Sequence, residues 1–257
     1  MPKSSRPIHP GDNQRLYQTV ARQLATIIEE HAADPDWRVP SERELAEELG
    51  VSRPVIREAV IALEMKGIVE VRGRAGITIL RRSGIRSALE TALVLSEMDA
   101  GPGPFELLEA RMAIESSAAG LAAERATRYD ELELEECIAQ MEQETDVLLL
   151  HEQGDRRFHM TIARMTGNSV IVSMVEALWQ QRDRSPMWRK LHEHIYPASV
   201  RPLWVGDHHA ILAAIRLRNR EAAYNAMARH LRNVINELLE ADERGRICTG
   251  ETDRKVR

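Results

Sequence analysis

Residues 37–80 read WRVPSERELAEELGVSRPVIREAVIALEMKGIVEVRGRAGITIL, and the N-terminal region can be read outward from them. Ser41 precedes a helical run and Glu44 lies three residues later. That spacing is a capping box, in which each side chain satisfies a backbone donor at the helix start. Leu45, Ala46 and Leu49 mark the inward face, and Gly50 ends the helix, as glycine commonly does just past a C-terminus. Ser52 is expected to cap a second helix, with Pro54 in its first turn, where a missing N–H does no harm. Ile56, Ala59, Val60 and Leu63 recur at i, i+3, i+4 and i+7 and face a core. After Gly67, Val69/Val71 and Ile77/Ile79 alternate with period two around a turn at Gly73-Arg74-Ala75-Gly76. The pattern predicts a helix-turn-helix followed by a β-hairpin wing.

The charged residues of this stretch suggest its partner. Arg53 and Arg57 are four apart and share one face, which the apolar residues are expected to leave exposed. Guanidinium forks at the start of such a helix suit guanine edges and phosphates of duplex DNA. Arg72 and Arg74 place positive charge at the wing tip.

Composition limits the alternatives. The chain has 257 residues, enough for two domains, and only 4% aromatic residues, as suits a mostly helical protein. Net charge is −5. Residues 1–82 hold 13 Lys+Arg against 12 Asp+Glu, and residues 83–257 hold 22 against 28. Attraction to DNA must therefore come from a local arginine patch rather than a basic domain. Cys137 and Cys248 are far apart and lie in no metal or redox motif, which points to a reduced, cytoplasmic protein. No run of 18 apolar residues occurs, so no membrane span is expected. The first residues lack the apolar core of a signal peptide.

The expected architecture is mainly α. Residues 14–82 form the winged helix-turn-helix, beginning with a helix marked by Leu16, Val20, Leu24, Ile27 and Ile28. Residues 83–243 form an all-α antiparallel bundle, and residues 1–13 and 244–257 are mobile termini. Bundle helices are expected near 86–98, 104–127, 130–152, 154–166, 169–190, 200–218 and 220–242. Breakers at Gly101–Pro104, Gly154, Gly167-Asn168, Pro197 and Pro202 separate them. RRSGIR (residues 81–86) is a polar hinge.

Within the bundle, GDRRFHMTIA places Asp155 and His159 at i, i+4 on one helix face. His208 in GDHHAILAAI and His230 in AMARHLRNV lie on two further helices. Three helices of a bundle can bring these four side chains to one interior point. Imidazole nitrogens with one carboxylate suit a divalent metal, zinc first, with nickel or manganese as alternatives. His209 faces about 100° away from His208. His192 and His194, at i, i+2, point to nearly opposite sides and are set aside. Arg111 is a candidate clamp for a ligand carboxylate or, equally, a salt-bridge partner of Glu115 or Glu109. Arg164 lies off the His159 face. A metal-dependent hydrolase would need a separate general base, and none sits at metal-motif spacing, as in HExxH. An enzyme is therefore not expected.

PSERELAEELGVSRPVIREAV followed by LEMKGIVEVRGRAG resembles the N-terminal domain of the GntR family of bacterial transcription regulators. The resemblance implies operator contacts from Arg43, Ser52, Arg53 and Arg57, and a wing tip at Arg72 and Gly73 that reaches the minor groove. Family members often carry threonine where this chain has Pro54, which removes one hydroxyl. The D-x3-H, H-x2-I-L and final-histidine pattern, with the Thr166-Gly167-Asn168 turn, resembles the FCD ligand-binding domain of the FadR-type branch. That likeness implies that Asp155, His159, His208 and His230 hold the metal, and that Arg111 and Asn168 meet the effector. Members that bind acyl-CoA lack these ligands. GPFELLEARMAIES and RDRSPMWRKLHEHI are, more finely, similar to the hexuronate-utilisation repressors of this branch. The implied protein is a homodimer on a pseudo-palindromic operator, released by a hexuronate. Lactate, gluconate and galactonate regulators share much of the framework.

Overall fold

The computed structural model describes residues 15–31, 34, 36–72, 76–80, 101–144, 153–193 and 197–248. The chain divides into two compact units. One contains the first three helices and a β-hairpin; the other spans Glu106–Ala241.

In the N-terminal unit, α1 (Leu16–Glu30) buries Tyr17, Val20, Leu24 and Ile28 and packs on α3 (Arg53–Met65). Between them α2 (Glu42–Leu49) starts with the expected capping box. Ser41 Oγ accepts from the Glu44 N–H at 3.3 Å, and Glu44 Oε2 accepts from the Ser41 N–H at 2.8 Å. These bonds hold the Glu44 carboxyl below its ordinary pKa. Gly50 ends α2 at φ +66°, in the left-handed region that glycine enters without penalty. Leu45 and Ala46 are buried, as are Ile56, Ala59, Val60 and Leu63 of α3. The wing is an antiparallel pair, β1 (Val69–Arg72) and β2 (Gly76–Ile79), in register Val69↔Ile79 and Val71↔Ile77. Gly73, Arg74 and the Arg72 side chain lie outside the described residues.

The second unit contains α4 (Pro104–Arg125), α5 (Arg128–Gln143), α6 (Gln153–Met165), α7 (Ser169–Arg184), α8 (Pro186–His192), α9 (Pro197–Arg216) and α10 (Arg220–Cys248). Helix α6 packs on both α5 and α7, and α9 packs on α5. Among the described residues every strand belongs to the wing. The core around Trp179, Ala163 and Val175 is completed by Ile114, Met160 and Ile171.

Several boundaries depart from the sequence reading. The single helix expected over 169–190 is two helices. Ser185 breaks it, and its Oγ accepts from the Trp188 N–H at 3.1 Å to start α8, with Pro186 in the first turn. Pro202 does not begin a helix but lies inside α9, which starts at Pro197. Helix α5 stops at Gln143, and α10 continues past the expected 242 to Cys248. The helix expected over 86–98 and the hinge at 81–86 lie outside the described residues. Among the described residues no helix is long and apolar enough to cross a membrane.

Replacing Ser41 by alanine should lower the stability of the N-terminal unit by about 1 kcal/mol, because the Glu44 N–H loses its acceptor. Urea unfolding followed by circular dichroism measures this. An unchanged midpoint would mean that the box adds nothing.

Candidate metal centre and adjoining cavity

Helix periodicity alone brings Asp155 and His159 to one face of α6. The packing of α6, α9 and α10 then brings His208 and His230 to the same point. One ligand atom from each of the four lies within 4.8 Å of the others. The three imidazoles are between 1% and 3% exposed. His208 and His230 have ring centroids 4.4 Å apart, and each lies 5.5 Å from His159.

Each ring is held from behind. His208 Nδ1 lies 2.7 Å from the Trp204 carbonyl oxygen, four residues back on α9. A carbonyl can only accept, so Nδ1 carries a hydrogen and Nε2 is the ring atom turned toward the cluster. That Nε2 lies 3.0 Å from Asp155 Oδ1. His159 Nδ1 meets the Glu115 carboxylate, and its Nε2 lies 3.3 Å from the same Asp155 oxygen. His230 Nδ1 lies 3.5 Å from Asp207 Oδ2. This is the outer layer of partners that orients histidine ligands in metal sites.

The donor set fits a cation. One carboxylate oxygen faces two imidazole nitrogens whose hydrogens, in the neutral rings, lie on the opposite side. Lone pairs facing a carboxylate at this distance repel unless a proton or a metal ion lies between them. His230 adds a third nitrogen: burial and the charge of His208 push it down to about 4, so it is neutral near pH 7. Burial opposes the ionisation of Asp155, but its bonds to His159 and His208 outweigh that and hold its carboxyl well below the usual range. Burial also lowers His159, but the Glu115 charge and the Asp155 bond raise it on balance.

Glu115, named in the sequence only as a partner for Arg111, has a place behind His159 that sequence reasoning missed. It is 1% exposed and is shared between His159 and Arg111, whose Nε donates to it at 2.8 Å. Burial pushes the Glu115 carboxyl up, yet Arg111 and His159 outweigh it and hold it at about 2. Of the two readings of Arg111, the salt bridge to Glu115 is present, and the arginine also lines a cavity beside the cluster. Asp155 and His230 line the same cavity, with Arg182, Trp188, His192 and Trp204. Thus His192, set aside as a metal ligand, is outside the four-residue cluster but belongs to the cavity wall. Its Nδ1 lies 2.8 Å from the Trp188 carbonyl oxygen, repeating the Trp204–His208 arrangement. A tryptophan four residues before a histidine, twice in one chain, was the available signal.

Asn168 is placed elsewhere. Its Oδ1 accepts from the Val170 and Ile171 N–H groups at 3.0 and 3.4 Å, capping α7, and it is exposed. The expected effector contact therefore gives way to a capping role. Arg164 is exposed and pairs with Glu133 at 3.0 Å, and His209 is exposed, as its spacing indicated. Cys137 is buried, which pushes its thiol up to about 11 and keeps it unreactive.

In the N-terminal unit, Arg43 and Ser52 are exposed and Arg53 is half-buried. Ser52 occupies the cap position of α3 without a side-chain cap bond, contrary to the expected cap. Arg57 is not on an open face: it is 2% exposed and donates to Glu42 at 2.7 Å. The apolar spacing implied an open face here, but residues 56–63 are all buried and a carboxylate from α2 closes over this arginine.

The family comparisons agree with this architecture. The GntR description, "Bacterial regulatory proteins, gntR family", matches residues 16–79, and the FCD domain matches residues 106–233. The chain is 42% identical over 230 residues to the "Uxu operon transcriptional regulator" of Escherichia coli K12, covering 88% of each protein. It is 35% identical to the "Uxu operon regulator" of Haemophilus influenzae, covering 89% of this chain and 84% of that one. It is 38% identical to the "Exu regulon transcriptional regulator" of Escherichia coli K12, covering 86% and 83%. This chain belongs to the GntR family of bacterial transcription regulators and carries an FCD domain. It is a regulator rather than an enzyme.

Two results are expected from the site. Glu115, with its depressed pKa, adds stability that is complete above about 4.5, its ordinary value, and is lost as pH falls through about 2. Glu115→Gln should flatten acid unfolding in that window; an unchanged acid profile would remove Glu115 from the account. Separately, His208→Ala should reduce bound divalent metal, measured by plasma emission after dialysis, to less than a tenth of the wild-type content. Undiminished metal would place the ion elsewhere.

Proposed function

We propose that this chain is a repressor of hexuronate catabolic genes. It binds a pseudo-palindromic operator as a homodimer and releases it when a small sugar-acid carboxylate binds beside a divalent metal in the helical unit. The observation that carries this reading is the cavity in which a four-ligand histidine–aspartate cluster adjoins two buried arginines, Arg111 and Arg182. The names of the relatives, as regulators of the Uxu operon and Exu regulon, support the choice of hexuronate.

When bound to Asp155, His159, His208 and His230, a divalent ion (zinc first, nickel or manganese next) supplies positive charge and open coordination positions for an oxygen ligand. The chain's own groups do the rest. The buried carboxylate of Glu115, with the half-buried ones of Asp155 and Asp207, offsets the charges of Arg111 and Arg182. A divalent ion adds positive charge to this carboxylate-rich site, so the affinity for a carboxylate effector should depend on the metal.

On the DNA side, Arg43, Ser52, Arg53, Arg57, Arg72, Gly73 and Arg74 form the operator-contacting set. Arg43 and Ser52 offer exposed donors at the start of α2 and α3. Arg57 reaches DNA only if its pair with Glu42 opens. With two recognition helices in one dimer, the half-sites lie about one DNA turn apart. Effector release requires only that the ligand favour the operator-free arrangement by a few kilocalories per mole.

Operator binding by mobility shift tests the reading. Arg53→Ala should weaken binding to the upstream DNA of uronate genes about tenfold to a hundredfold. Glucuronate or galacturonate should release the wild-type complex, and chelation should abolish that release. Release by lactate instead of a uronate would reassign the regulated pathway. Release that survives chelation would make the metal purely structural.

A further inference from the structure

The four-residue cluster does not account for the whole cavity. Its far wall is built by α7, α8 and α9 rather than by the metal ligands. Arg182, Trp188, His192 and Trp204 line it, and they are between 3% and 9% exposed. Arg182 and Arg111 both stack on Trp179, with guanidinium carbons 4.8 and 4.1 Å from the ring centre. Arg182 also lies 4.9 Å from the Trp188 ring. Arg111 is paired with Glu115 at 2.8 Å and Arg182 lies 3.6 Å from Asp183 Oδ1, so both guanidinium groups are held in place at this wall.

A second observation is independent of charge. The indole N–H groups of Trp188 and Trp204 are buried and have no hydrogen-bond acceptor. Buried donors in native proteins are almost always satisfied, so two unsatisfied ones on a single cavity wall call for acceptors from outside the chain. Indole also offers an apolar face to C–H groups, and its N–H donates only. A polyhydroxylated carbon chain has both kinds of surface: hydroxyl oxygens at its edge and C–H groups on its face. A two-carbon hydroxy acid offers no such polyhydroxyl chain, so it cannot serve the cluster and these indoles in the same way.

We propose that Arg182, Trp188, His192 and Trp204 form a second subsite, which holds the polyhydroxyl end of a six-carbon sugar acid. The other end of the ligand lies at the four-ligand cluster and Arg111. The inference deepens the proposed function and rests on it for the cluster end. It also accounts for the RDRSPMWRKLHEHI run, from which three of the four residues come. The break at Ser185-Pro186 turns α8 so that Trp188 and His192, four apart, both face the cavity that Arg182 enters from α7. The subsite selects by chain length, and it separates sugar acids from two- and three-carbon hydroxy acids.

The test uses full-length, zinc-loaded protein and calorimetric titration with glucuronate, galacturonate, gluconate and glycolate. Glycolate reports on the cluster end alone. Trp188→Phe and Trp204→Phe keep a ring and delete the N–H; Arg182→Lys keeps the charge and deletes the fork. Each variant should lose about tenfold in affinity for the six-carbon acid that the wild type prefers. Glycolate affinity and zinc content should stay within twofold of the wild type, which also shows that the variants are folded. Equal losses for glycolate and the six-carbon acid, or no loss for either, would overturn the subsite. A wild-type preference for gluconate, lost selectively in the variants, would sustain the subsite and refute the hexuronate reading. Wild-type binding of glucuronate that the variants retain would do the reverse. A wild type that binds none of the six-carbon acids would overturn both.

Discussion

One carboxylate oxygen, Asp155 Oδ1, stands 3.0 Å from His208 Nε2 and 3.3 Å from His159 Nε2 in the interior of the helical unit. Nothing else in that unit constrains its chemistry as strongly. The rings cannot turn away, because a backbone carbonyl fixes His208 and Glu115 fixes His159 from behind. With their hydrogens on the far side, neutral rings would direct lone pairs at an anion, so the arrangement is favourable with a proton or a metal ion between them. Buried charges in proteins are retained when they are paired or coordinate an ion; here Glu115 is paired with Arg111, and the cluster could hold an ion.

Glu115 links that demand to the adjoining cavity. Its carboxylate is shared between a ring of the cluster and Arg111, so the position of the guanidinium and the orientation of His159 are set together. A ligand that draws on Arg111 therefore also acts on the partner of a metal ligand. This gives a short physical route by which an effector and the cluster can sense each other, without any need for a long chain of couplings. The tryptophans share two features: Trp179 and Trp188 carry guanidinium groups on their faces, and the buried N–H groups of Trp179, Trp188 and Trp204 lack an acceptor.

The N-terminal unit is built on another basis. Its shape follows from local rules: the box at Ser41 and Glu44, the left-handed glycine at 50 and the alternating strands of the wing. Such elements are specified by neighbours a few residues apart and depend little on the rest of the molecule. Among its polar ties is the Arg57–Glu42 pair, which takes an expected DNA contact and holds it against the neighbouring helix. Arg43 and Ser52, by contrast, keep their donors at the surface.

The local chemistry of this chain could be read from its residues because it runs at short spacing. Capping, glycine turns, strand alternation and the i, i+4 relation of Asp155 and His159 are all set by backbone geometry within one turn or one hairpin. Family likeness extended that reading to His208 and His230, which lie some fifty and seventy residues further along the chain. Helix packing alone settled the remainder. It put Glu115 behind His159, closed Glu42 over Arg57, gave Asn168 to a helix cap, and broke the helix at Ser185 so that His192 enters the cavity wall. None of these has a signature at fixed sequence spacing, because each depends on which faces of separate helices meet. Burial then decides whether a charged side chain is a solvated surface group or part of a site.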